Sequence, residues 1–159
     1  MGHTRYIATA LAAATAVALL PGGAATAKTG KVKKLHCGLE LIAQGKPNPT
    51  VVHFGFPACS APFGKGLHHS IITVTPSSPT SGSIAGRFKN YYNAGTVRGT
   101  VAMTFSATSP ENVTYTGTVT YTGGTAAFRR AKGTGRITCT STDGGAHKSC
   151  IVDSKLTGV

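Results

Sequence analysis

The sequence predicts an all-β domain, an eight-stranded antiparallel up-and-down barrel, on three observations. Residues 96–107 and 113–122 alternate apolar and polar side chains at period two, the mark of half-buried strands. Six shorter runs, near 36–43, 50–56, 69–75, 83–88, 134–142 and 147–157, read as strands from rough alternation, β-branched content or hairpin register, between clusters of Gly, Pro, Asn and Ser. No helical period stands out after residue 27. Closing eight short strands on themselves removes exposed sheet edges; a two-sheet β-sandwich is the alternative.

In chain order, residues 1–27 read as a secretory signal peptide. Arg5 precedes an uncharged stretch at 7–20, Pro21-Gly22-Gly23 breaks it, and Ala25-Thr26-Ala27 supplies a small-x-small cleavage pattern. The uncharged stretch is shorter than the ~20 residues that span a bilayer, and no later segment qualifies as a transmembrane span. Residues 28–35 follow as a basic arm carrying Lys28, Lys31, Lys33 and Lys34, and residues 36–159 form the single barrel domain. The expected location is secreted, extracellular.

At 36–43, Cys37, Leu39 and Leu41 share one face. The run 50–56 places Val52, Phe54 and Phe56 on one side, and 57–66, with Cys59, is expected to be a loop. The β-branched run 70–75 precedes a Ser/Pro/Thr loop, a short strand at 83–88 and a connector at 90–95. Val97, Gly99, Val101, Met103, Phe105 and Ala107 then occupy one face. Val113, Tyr115, Gly117, Val119 and Tyr121 answer them beyond a turn at 108–112. For both apolar faces to meet, paired residues must match in parity, which a one-residue slip would destroy.

The last hairpin turns at Gly144-Gly145, where two positive φ angles suit a tight type I′ turn. That register sets Cys139 opposite Cys150, Ile137 opposite Val152 and Arg136 opposite Asp153. An even number of cysteines in an exported chain reads as disulfides. Cys139–Cys150 is therefore one bridge and Cys37–Cys59 the other. With no CxxC or HxxxH spacing, no metal site and no cofactor is expected.

Between these hairpins lies Gly123-Gly124-Thr125, then Phe128-Arg129 and Ala131-Lys132-Gly133. This segment resembles the GGTGxFRxARG signature of the dirigent and allene oxide cyclase-like barrel families, departing at Ala126, where a third glycine is usual, and at Lys132. The resemblance implies an eight-stranded barrel and an enzyme that steers cyclisation or coupling. Those families use acidic residues in the barrel. Here only Glu40 stands mid-strand, and no catalytic residue is carried over.

Sixteen Lys and Arg against four acids give a net charge of +12, of which the leader removes only Arg5. Such an excess attracts anionic polymers and surfaces. No aromatic residues interleave with the lysine arm, so no specific nucleic-acid partner is expected. An eight-stranded barrel is filled by its own side chains or holds one small ligand. Tyr115, Tyr121, Met103 and Phe105 are the candidate ligand contacts inside, with Arg129 at a rim. Asn112-Val113-Thr114 is a glycosylation sequon. The leading expectation is a secreted, disulfide-bonded barrel that binds a small, mainly apolar molecule, without an identifiable reaction. The alternatives are a dirigent or allene oxide cyclase-like enzyme and a basic protein that binds the cell envelope or an extracellular polymer.

Overall fold

The computed structural model describes residues 31–159; the predicted leader, 1–27, and Lys28 lie outside the described residues. Eight strands, β1 (Lys33–Asn48), β2 (Thr50–Cys59), β3 (Gly64–Ser78), β4 (Ser81–Tyr92), β5 (Gly95–Ala107), β6 (Val113–Gly124), β7 (Lys132–Ser141) and β8 (His147–Thr157), close into one antiparallel barrel in sequence order. The predicted barrel is thus present and the sandwich is not. β1 and β8 seal the ring, from Lys33 opposite Leu156 to Ile42 opposite His147.

Alternation fixes what fills the barrel. Val97, Val101, Met103, Val113, Tyr115, Val119 and Tyr121 are buried inside, as their period of two requires, and Phe105 is half-buried. The β5–β6 register pairs Val101 with Val119 and Phe105 with Tyr115, so the two apolar faces coincide. Gly99 and Gly117 share that face but leave no space. A Cβ at Gly99 would meet the Thr120 carbonyl oxygen and the Phe88 ring, and one at Gly117 the Ala102 carbonyl and Met103. The glycines are where strand and side chain approach most closely.

Several strands run longer than their alternation suggested. β2 continues through Pro57 to Cys59, so the predicted 57–66 loop shrinks to 60–63. β4 absorbs Asn90–Tyr92 from the predicted connector, leaving a tight turn before Gly95. Lys33 and Lys34, predicted in the arm, belong to β1. In each case hydrogen bonding to a neighbouring strand extends a segment whose side chains alone do not alternate cleanly. Val52, Phe54 and Phe56 do share a side, but it is the outer one, and Val51 and His53 point inward. The only helical turn among the described residues is a 3-10 turn at Ala126–Phe128. Among them, no helix is long and apolar enough to cross a membrane.

Both disulfides are as predicted, Cys37–Cys59 joining β1 to β2 and Cys139–Cys150 joining β7 to β8. The last hairpin keeps the predicted register, with Ile137 opposite Val152 and Arg136 opposite Asp153. Gly144 and Gly145 both take positive φ, 70° and 91°. Asp153, however, bonds His36 Nδ1 at 2.7 Å on its other neighbouring strand rather than Arg136. Each bridge closes a short loop, of 22 and 11 residues in separation. Replacing Cys139 and Cys150 together by alanine is expected to cost roughly 3 kcal/mol through the freed unfolded chain. Denaturant titration of the double variant measures it; an unmoved midpoint would mean that the bridge contributes nothing net.

The two ends of the barrel differ. At one end, the segment between β6 and β7 folds under the opening. Phe128, 1% exposed, stacks on Phe63 with ring centroids 4.4 Å apart and meets Tyr92 edge-on at 6.0 Å. Leu35, Val97, Ala131 and Leu156 complete this plug. The opposite end, bounded by the β1–β2, β3–β4, β5–β6 and β7–β8 connections, has no such plug among the described residues and opens into a pocket.

Candidate functional site

The open end leads into a pocket of about 430 Å³ whose apolar wall includes Val51, Val74, Ile84, Phe105, Val113 and Tyr115. Deeper in the barrel lies a second cavity of about 50 Å³, walled by Leu39, Val101, Met103, Val119, Ile137 and Tyr121 among others. That is room for a few water-sized groups. His53, Ile72 and Lys148 line both spaces and form the neck between them.

The predicted ligand contacts therefore divide. Tyr115 and Phe105 line the outer pocket, and Tyr121 and Met103 line the inner cavity. Arg129 joins neither. It is exposed at the plugged end, beside Arg130 and Gly158. The Gly-rich segment that carries it caps the far end of the barrel rather than the mouth. Glu40 points outward and accepts a hydrogen bond from Ser149 Oγ at 2.8 Å. His68 and His69 face opposite ways, as adjacent strand residues must, with His68 buried and His69 half-buried outside.

The polar residues inside the barrel were not singled out by their motifs. His53, His68, Ser70 and Asn90 come from β2, β3 and β4, and Lys148 enters from β8. All five are buried, so one side of an otherwise apolar interior is polar. Parity carried the signal. Cys59 must face inward to reach Cys37, which turns His53 inward on the same strand; Cys150 does the same for Lys148.

Lys148 Nζ lies 2.9 Å from His53 Nε2 and donates to the Gly145 carbonyl oxygen at 2.5 Å. It also sits 5.4 Å from the centroid of the Tyr115 ring. Burial lowers the Lys148 pKa to about 8, opposed by the Asp143 carboxylate nearby, so the ammonium stays largely charged at pH 7. Burial and the adjacent ammonium push His53 down to about 3, so its imidazole is neutral and Nε2 accepts from Lys148. Asp143 is itself engaged. It takes hydrogen bonds from Ser141 Oγ and the His147 backbone N–H and meets His147 Nδ1 at 2.5 Å, contacts that hold its carboxyl below the usual range.

His68 Nδ1 lies 2.7 Å from Asn90 Oδ1, which makes Nδ1 the protonated nitrogen. Asn90 Nδ2 in turn donates to the Tyr92 hydroxyl at 3.3 Å. His68 Nε2 is left as a buried acceptor without a partner among the described residues. Burial outweighs the Asn90 bond and lowers the His68 pKa to about 4. The Tyr121 hydroxyl accepts from Ser154 at 3.3 Å, and burial raises the pKa of Tyr121 and Tyr115. Among the described residues no three His, Cys, Asp or Glu side chains converge to hold a metal ion.

No family model, curated protein or solved structure matches the chain. What remains to indicate function is the pocket. Its chemistry is an apolar chamber open at one end, with one buried ammonium and one neutral imidazole at its neck.

Proposed function

We propose that the protein is a secreted carrier or binder that takes a small, mainly apolar molecule into the open end of its barrel. The observation behind this reading is the mouth pocket of about 430 Å³, with an apolar wall and a smaller inner cavity on the far side of the neck. Ligand sites share this design: concave, mainly apolar, with few polar groups to fix orientation. Desolvation drives such binding, at about 25 cal/mol per Å² of apolar area before association costs. Secretion rests on the 1–27 leader pattern together with the two disulfides.

The test uses the neutral fluorophore N-phenyl-1-naphthylamine. It should bind with micromolar affinity that is nearly unchanged between low and high salt, since charge contributes little. Ala107→Trp, which fills the mouth from β5, should weaken binding at least tenfold. Binding that ignores Ala107→Trp, or no binding at all, overturns the reading.

A second reading, adhesion to an anionic envelope or extracellular polymer, draws support from the outer wall. Leu67, Ile71 and Tyr91 are exposed there, and register partners place Arg87 against Ile71 and Lys89 against His69. Such attachment would weaken with added salt and with loss of the lysines at 28–34. Kinship with the dirigent and allene oxide cyclase-like families is proposed on the 123–133 segment, and the eight-stranded barrel supports it. The steering chemistry that kinship implies has little acid to use: the carboxylate nearest the pocket is Asp143, already bonded to Ser141 and His147.

A further inference from the structure

We infer that the ligand carries a carboxylate, and that Lys148 at the neck of the pocket is its anchor; this rests on the proposed pocket function. Lys148 is a charge without a counter-charge. Lys148 is 6% exposed, and among the described residues no carboxylate lies within 4.0 Å of its ammonium. Its protein partners are His53 Nε2 and the Gly145 carbonyl, both neutral, and the face of Tyr115. An ammonium has three N–H donors, and two of them are used. Burying a cation is unfavourable unless it is paired and hydrogen-bonded.

The surroundings decide which acid fits. Around Nζ stand His53 from β2, Tyr115 from β6 and Asp143 from the β7–β8 turn. His53 is neutral. Asp143 has its oxygens engaged by Ser141 and His147, so it tempers the local field without pairing to Lys148. One full positive charge thus faces the neck, matched by one singly charged group. A phosphate monoester, at about −1.5 to −2 near pH 7, carries more negative charge than this one ammonium balances. Lys148 lines both spaces, and the wall above it is apolar. A monocarboxylic acid would place its acid group at the neck and its hydrocarbon in the outer pocket among Val51, Val74, Ile84 and Phe105.

Octanoate and 1-octanol share a chain and differ in the headgroup, so calorimetric titration of both into the full exported protein separates the two ideas. At pH 7 octanoate should bind at least tenfold more tightly than 1-octanol, and Lys148→Met should abolish that preference while 1-octanol still binds. Equal affinities for the wild type would overturn the carboxylate anchor and leave the pocket reading standing. Failure of both to bind would overturn the pocket reading as well. Because Lys148 also bonds the Gly145 carbonyl, the Met variant could fail to fold. NMR titration of the wild-type Lys148 side chain is independent of it: octanoate should raise its pKa by a unit or more, and an unchanged pKa overturns the anchor.

Discussion

Lowering the pH from 7 to 4.5 should cost the barrel about 5 kcal/mol of stability, divided between His53 and His68. Both imidazoles are neutral in the fold, with pKa values near 3 and near 4 against 6.5 for the free side chain. The unfolded chain therefore binds two protons that the folded barrel refuses. Their stabilisation is complete above pH 6.5 and is lost as pH falls toward each folded value, at about 1.4 kcal/mol per unit and per group. The cause for both is chiefly burial. His53 also has the Lys148 ammonium beside it, whereas for His68 the Asn90 bond works in the opposite direction. Urea unfolding at the two pH values measures the loss. A His53→Gln, His68→Gln variant should shed most of the pH dependence. A wild type equally stable at both values would mean that water reaches these rings.

Phe128→Ala is expected to cost about 3–5 kcal/mol, a fall of ~10–20 °C in Tm. Phe128 is the one large apolar side chain between Gly124 and Ile137, and it is fully buried. Its ring stacks on Phe63 and meets Tyr92 edge-on, so truncation removes contacts to both and leaves a hole in the plug. Neighbouring strand ends cannot collapse into that hole without breaking their ladder. Phe128→Leu should recover much of the loss. Because the residue sits at the end opposite the mouth, octanoate affinity of the folded variant should not change. Thermal unfolding indistinguishable from wild type would place the ring in solvent.

The strands were readable where side chains alternate, since a face that must be buried leaves a period of two. Residues 97–107 and 113–121 are the clearest case, and both cysteine pairs followed from one turn and its parity. The reading failed at strand ends. Pro57 and Asn90 signal loops in isolation, but each lies beside a strand that already offers hydrogen bonds, and the ladder extends through it. At Phe54 and Phe56 hydrophobicity does not tell which face is inside: both rings stand on the outer wall, while His53 is inside. The inward cysteine at 59 was the better guide. Lys148 was missed for a related reason, because a lone lysine amid Ser and His resembles a solvated face until Cys150 fixes which way the strand looks. Ala126 shows that the segment resembling GGTGxFR has a backbone demand of its own. It takes φ 49°, a conformation better suited to the glycine usual at that position.

The seam between β1 and β8 has a consequence for how the chain reaches this shape. Seven of the eight strand pairings join consecutive strands and can form locally, whereas the seam unites the two ends of the described chain and meets the largest entropy of loop closure. Its closure should therefore be the slow, non-local step of folding. Cys37 and Cys59 face each other within the first hairpin, Cys139 and Cys150 within the last. Neither bond has to wait for the ring. Oxidation can staple both terminal hairpins while the middle of the chain is still open, and barrel closure then joins two strands that are each already held in register.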